Sequence, residues 1–223
     1  MIYKLRELST IKRGSSPRPI NDYISKSGYP WLKISDFSLN DKVVNSTKEF
    51  IKEDGLKNTR YVKKGTLIVT NSATPGIPIF LGKDMCLHDG FLYFEELSTM
   101  LDKEYLYYFI LCNRKRLIGL GNGSVFINLK KEILENYEID LPSIELQRKI
   151  VSIIKPIDDK MSLNKEINDN LSIYRLNESK FSSPLINLGK ILSRIDDKIV
   201  FCSSFLPIKS NNGLTSSLNC LIA

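Results

Sequence analysis

The sequence predicts an α+β fold, a mixed or antiparallel sheet followed by a long helix, on three observations. To about residue 140, short apolar runs alternate with Gly, Pro, Asn and Asp, the punctuation of strands and turns. Residues 143–180 contain no glycine and carry apolar side chains at helical spacing. Beyond Ile199 the chain carries one charged residue, Lys209, among many Ser and Asn, and is expected to be weakly ordered.

Taken in order, the strand candidates are Trp31 to Ile34, Thr66 to Thr70, Ile77 to Leu81, Gly90 to Phe94 and Tyr137 to Leu141. Asp102 can cap a helix in which Leu106, Phe109, Ile110, Asn113 and Leu117 share a face. Arg114, Lys115 and Arg116 lie near its C-terminal end, and Gly119 and Gly121 stop it. Past Pro142 the pattern becomes heptad-like: Ile150, Ile153, Ile157, then Asn164, Ile167, Leu171 and Tyr174, spaced 3 or 4 apart after the Lys160/Met161 step. That is a seam for a partner helix, with Asn164 able to fix its register, although an intramolecular hairpin would also use it. A single helix of about 36 residues would run about 54 Å, too long for the first domain alone to bury. Pro156 is expected to kink or divide it. The expected domains are therefore 1–141, a spacer or dimerisation helix 142–180, and 181–223, a weakly ordered tail or degenerate second half. A short repeat bears on the last option: Ile153 to Met161 is similar to Ile191 to Ile199, displaced by 38 residues, which fits a remnant of a duplicated half, a short amphipathic helix folding against the first copy, or chance similarity.

With 223 residues, 42% of them hydrophobic, the chain can bury one core of about 130 to 150 residues plus an appendage. A net charge of +7 favours a polyanion as partner. Its distribution says more: residues 1–83 hold 15 Lys or Arg against 7 Asp or Glu, whereas residues 84–104 hold one Lys against six acids. A one-sided positive field can align a domain on a phosphate backbone, although a solvated surface with unevenly placed lysines would look the same. Cys86, Cys112, Cys202 and Cys220 form no CxxC pair and accompany a single histidine, which suggests reduced thiols and no zinc site. No apolar leader or membrane span is evident, so a soluble cytoplasmic protein is expected.

Two neighbouring stretches are the most specific: Gly121-Asn122-Gly123-Ser124-Val125-Phe126, and Leu141-Pro142-Ser143-Ile144-Glu145-Leu146-Gln147-Arg148-Lys149-Ile150 feeding the long helix. With the opening Leu5 to Pro19, then Pro30 to Asp36 and Gly65 to Gly76, their order resembles a half-repeat of the specificity subunit of type I restriction-modification systems. The resemblance spans about residues 2 to 178. It implies an α+β target recognition domain packed on a conserved helix. It further implies that two such domains are held in opposite orientation by paired helices, each reading half of a bipartite target, with methyltransferase subunits alongside. A full-length specificity subunit carries two recognition domains, and this chain shows one. It is thus expected to be a half-subunit that forms a homodimer or pairs with another half, or else a truncated product. A homodimer requires a palindromic bipartite target. On this reading the chain is no enzyme and holds no cofactor or metal. S-adenosylmethionine belongs to the methyltransferase subunit, and ATP and Mg to a restriction subunit where one is present.

Within that frame, Arg13, Ser15, Ser16 and Arg18 sit in a Gly/Pro-bounded loop where guanidinium groups can reach phosphate or the guanine edge, with Lys12 better suited to phosphate. The alternative is a basic surface turn. Lys33 and Ser35 flank Ile34 and would share one face of a strand, with Trp31 more of a core residue than a base-stacking one. Asn71, Ser72 and Thr74 follow an apolar strand, where they could contact bases or cap a turn. Gly121-Asn122-Gly123-Ser124, with Asn122 and Ser124 as its polar side chains, permits close backbone approach to phosphate or methyltransferase, although its glycines could simply end a helix, and Lys130 can contact phosphate or water. Gln147, Ile150, Ile153, Ile157, Asn164, Ile167, Leu171 and Tyr174 are assigned to the dimer or subunit interface. His88 beside Asp89 has no nucleophile at recognisable spacing and reads as structural or DNA-contacting. Walker A, methyltransferase and nuclease patterns are missing from the sequence, so catalysis is not expected. The competing reading is a coiled-coil interaction adaptor without DNA specificity.

Overall fold

A computed structural model describes residues 1–38, 41–120 and 128–178, with side chains for all of these except 169 and 172–178. Asn122, Ser124, the Tyr174 side chain, the second copy of the repeat and the expected tail lie outside the described residues. In chain order the elements are β1 (Ile2–Lys4), α1 (Leu5–Leu8), β2 (Thr10–Arg13), α2 (Ile20–Tyr23), β3 (Ile24–Ser25), β4 (Tyr29–Leu32), β5 (Val43–Val44), β6 (Glu49–Ile51), β7 (Arg60–Val62), β8 (Leu67–Thr70), β9 (Pro78–Leu81), β10 (Met85–Leu87), β11 (Phe91–Glu95), α3 (Lys103–Gly119), α4 (Lys131–Glu135), β12 (Glu138–Asp140) and α5 (Ile144–Glu178). Short 3-10 turns occupy Ile34–Asp36 and Glu53–Asn58. The chain divides into two compact units, Met1–Ser162 and Leu163–Ala223. Of the second, only the α5 residues 163–178 are described.

The fold of the first unit is α+β. One mixed sheet has the order β2-β11-β8-β9-β5, a second has β3-β6-β4-β10-β7, and β1 pairs with β12 across the two ends of the unit. The first sheet is the central layer, and period-two alternation explains why. Leu67 and Val69 of β8, Leu92 and Phe94 of β11 and Phe80 of β9 join the core shared with α3 (Leu106, Ile110, Leu117). Ile68, Ile79, Leu81, Phe91 and Tyr93 face the other way, onto Leu32, Met85 and Leu87 of the second sheet. Strands buried on both faces read as continuous apolar runs, which is why β8, β9 and β11 stand out in the sequence.

Asp102 caps α3 as expected, its carboxylate accepting from the Glu104 and Tyr105 N–H groups at 2.9 and 3.0 Å. The expected strand Trp31 to Ile34 is displaced to Tyr29–Leu32, and Lys33 and Ser35 are not on a strand at all. Asp36 is the cause: its carboxylate accepts the Lys33 N–H at 2.9 Å while its own N–H donates to the Lys33 carbonyl at 3.0 Å, closing a turn. Pro156 does not divide α5, which runs unbroken through it. The proline leaves the Ser152 carbonyl without its helical donor, and both residues are exposed, so water can serve it.

Candidate nucleic-acid interface

Four segments distant in sequence meet at one end of the two central sheets. Arg13 is the last residue of β2, Lys33 follows β4, Asn71 follows β8 and His88 follows β10. Antiparallel pairing of β11 with both β2 (Leu92 opposite Arg13) and β8 (Phe91 opposite Thr70) puts those two C-terminal ends beside the start of β11. Parallel pairing of β4 with β10 brings the other two to the same end. Arg13 therefore sits at a strand end and not in the expected loop.

Asp89 is the hub. Its backbone carbonyl accepts from Arg13 Nε at 2.8 Å and from Asn71 Nδ2 at 3.1 Å, and its carboxylate accepts from Ser16 Oγ at 3.3 Å. Gly14 lets this happen, because a Cβ there would lie 2.1 Å from the His88 carbonyl oxygen. Ser15 is tied down separately, donating from Oγ to the Asn58 carbonyl at 3.0 Å while its own carbonyl accepts from Thr59 Oγ1 at 2.7 Å. Arg13 and Arg18 are exposed. Lys12 is also exposed but is paired with Glu95 at 2.6 Å, and Lys33 is paired with Glu49 at 2.8 Å and lies over the Trp31 ring. Trp31 is buried, as a core residue should be.

Around His88 these charges add up. Burial lowers the ring's pKa; Asp89 opposes this, and the nearby Lys33, Arg13 and Arg18 lower it further. The neutral ring accepts the Gly90 N–H at Nδ1, 2.9 Å, which puts its proton on Nε2. Were the ring protonated, Nδ1 would instead pair with the Asp89 carboxylate, also 2.9 Å away.

The polar turn after β8 is more deeply set than expected. Asn71 is only 5% exposed, so its amide braces the Asp89 turn and does not stand at the surface. Its Oδ1 and Thr74 Oγ1 are buried without a hydrogen-bond partner among the described residues. The Thr74 carbonyl accepts from Thr70 Oγ1 at 2.6 Å, and Ser72 is half-buried. Lys130 is exposed at the start of α4, away from this hub in sequence.

Residues 1–172 match the family model described as the type I restriction modification DNA specificity domain. The chain belongs to this family. The specificity domain is 27% identical over 179 residues to the type I restriction enzyme MjaIX specificity subunit of Methanocaldococcus jannaschii, an alignment covering 76% of this chain and 40% of that relative. It is 22% identical over 193 residues to the HindI specificity subunit of Haemophilus influenzae, covering 81% of this chain and 41% of the relative. The chain thus spans about two fifths of the length of these curated relatives. In fold it is similar to the HsdS subunit from Thermoanaerobacter tengcongensis, with a TM-score of 0.59 at 19% identity over 75% of this chain and 39% of that one. A type I restriction-modification S subunit from M. genitalium aligns with a TM-score of 0.56 at 18% identity, over 80% of this chain and 45% of that one.

The helix assigned to pairing needs one correction. Gln147 is fully buried against its own domain, so it is not available to a partner. Its amide donates to the Met100 and Pro142 carbonyls, both 2.8 Å, and its carbonyl accepts the Asp102 N–H at 2.8 Å. Ile150 is half-buried, whereas Ile153, Ile157, Ile167 and Leu171 are 42 to 54% exposed and Asn164 is exposed. No helix of the described residues is long and apolar enough to cross a membrane.

Proposed function

We propose that this specificity domain reads one half of a bipartite duplex DNA target, works as a dimer of half-subunits, and brings a methyltransferase subunit to that site. A restriction subunit joins where one is present. The observation that carries the reading is the convergence of Arg13, Arg18, Lys33 and the His88–Asp89 turn at one end of the central sheets. Arg13 keeps donors beyond its bonded Nε, and exposed Arg18 can present a full guanidinium fork to guanine O6 and N7. Lys12 is exposed and can track phosphate only by exchanging its Glu95 partner for a phosphate oxygen. Ser16 and Asn71 hold the turn that these donors flank. The chain supplies recognition and position only; methyl transfer from S-adenosylmethionine, and any ATP- and Mg-dependent step, belong to the partner subunits.

The test is genome-wide adenine methylation, read by long-read sequencing, in cells carrying the methyltransferase subunit with and without this chain. A gained palindromic bipartite motif supports the reading and its homodimer, and no gained motif overturns it. Replacing Arg13 or Arg18 by Ala should each cost about 1–3 kcal/mol in discrimination between target and scrambled duplex. Lys12→Ala should weaken both duplexes alike and lower the salt slope by about one. Fluorescence anisotropy titrations at two salt concentrations separate these effects, and unchanged discrimination in both arginine variants would remove them from the reading head. The exposed apolar face of α5 also suits an interaction adaptor. Salt-insensitive binding to a partner protein, with no duplex affinity, would favour that role.

A further inference from the structure

The first turns of α5 are held to their own domain at two separate points. Gln147 is one. Asp158, eleven residues and three turns further, is the other; at 1.5 Å per residue the two are about 16 Å apart on one face. Asp158 Oδ2 lies 3.0 Å from Lys42 Nζ and accepts from Tyr108 Oη at 3.0 Å, while Lys42 Nζ also donates to Tyr108 Oη at 2.6 Å. Glu104 Oε2 is 3.1 Å from the same ammonium but accepts no well-directed hydrogen bond, so it acts as a charge neighbour. The ammonium lies over the rings of Tyr107 and Tyr108, and the Lys42 side chain is only 11% exposed. Burial alone would lower its pKa, but Asp158 and Glu104 more than offset this and raise it, so it stays charged. Its backbone is fixed too, since the Lys42 carbonyl accepts the Phe80 N–H of β9 at 2.8 Å.

Between the two anchors, Val151 and Ile154 rest half-buried on the core. Such contacts hold a helix down without directing it, because apolar burial has no preferred orientation. A rod fixed at one point pivots, and a second fixed point removes the pivot. Partly buried ion pairs are poor stabilisers, since desolvation offsets most of their attraction; their better-attested use is to select one geometry.

We propose that Lys42 is a positioning residue: by clamping Asp158 it fixes the angle of α5 on the recognition domain and so limits how many base pairs can separate the two half-sites. The inference rests on the bipartite reading above. Each added base pair moves the second half-site by about 3.4 Å and turns it by about 34°. A tilt of about 10° displaces a point 24 Å further along a helix by about 4 Å, more than one such step. Loosening one anchor therefore frees the translation of a neighbouring spacing, and its turn of about 34° is left to rotation about the helix and to twist in the DNA.

The experiment uses the full chain with its methyltransferase subunit in cells and reads methylated fraction against spacer length. Two variants remove the clamp: Lys42→Met keeps the stem against the tyrosines, and Asp158→Asn keeps an acceptor for Tyr108. Both should raise methylation at spacers one base pair longer or shorter by about threefold or more relative to the preferred spacer, with the half-site bases unchanged. Lys42→Arg, which retains the charge, should stay nearer the narrow profile. A merely structural role would lower methylation at every spacer together, so an unaltered profile shape in Asp158→Asn overturns the inference while the bipartite reading stands. If the unsubstituted chain yields no bipartite motif, that reading falls and the inference with it.

Discussion

Replacing Gln147 with alanine is expected to destabilise the recognition domain by about 3 kcal/mol. The side chain is fully buried and satisfies three backbone groups at once: the Asp102 N–H and the Met100 and Pro142 carbonyls. Each buried backbone group left without a partner costs about 1–3 kcal/mol, and the truncated side chain leaves a void besides. For a unit of this size that corresponds to a fall in melting temperature of about 6–12 °C. Gln147→Glu tests the donors separately. It keeps an acceptor for Asp102 but aims a carboxylate oxygen at two carbonyls, so the introduced acid should have its pKa raised in the folded state. An acid raised in this way destabilises most above its folded pKa, and the penalty shrinks as pH falls through that value toward about 4.3. Urea midpoints should therefore be lowest near pH 7 and recover on acidification. A Gln147→Ala midpoint equal to that of the unsubstituted chain would show that the side chain anchors nothing.

Gln147 also shows where sequence reading stops. Its place in a helix that opens with Leu141-Pro142 was legible, but a glutamine between exposed residues gives no sign of which face it occupies. Only the meeting of α5 with the turn before α3 makes it an internal anchor and not a partner contact. What was legible follows from strong local signals. Asp102 announced α3, the glycine-free heptad pattern announced α5, and continuous apolar runs announced β8, β9 and β11. What was missed is short or non-local. β3 and β5 have two residues each and exist only because β6 and β9 lie beside them. At the Asp89 turn, residue type marks Arg13, Ser16 and Asn71, whereas nothing local to Asp89 beyond its neighbour His88 shows that it gathers them. Lys42 was one lysine in a basic stretch, since nothing local shows that Glu104 and Asp158 lie within reach.

Lysine at Ile157 or at Ile167 is expected to abolish self-association of the chain. From Leu146 to Pro156, spacing of about 100° per residue separates two faces of α5. Gln147, Val151 and Ile154 turn toward the domain, whereas Leu146 and Ile153 stay exposed, at 46 and 42%. The exposed spacing continues through Ile157 at 51%, Ile167 at 47% and Leu171 at 54%, a row of large apolar side chains that water does not favour. Pairing with a second copy would cover it in knobs-into-holes fashion, and Asn164 on the same face would favour one register. Burying one such side chain is worth about 1.5–3 kcal/mol. In a two-fold interface every substitution occurs twice, so a single Ile→Lys change costs about 3–6 kcal/mol, about two to four orders of magnitude in Kd. Ser152→Lys, about 100° away from Ile153 and off both faces, should leave association intact. Size-exclusion chromatography with light scattering distinguishes the cases: the unsubstituted chain and Ser152→Lys should run at twice the chain mass, and Ile157→Lys and Ile167→Lys at the chain mass. Dimers that survive both isoleucine substitutions would place the pairing surface elsewhere and leave the exposed row without its partner.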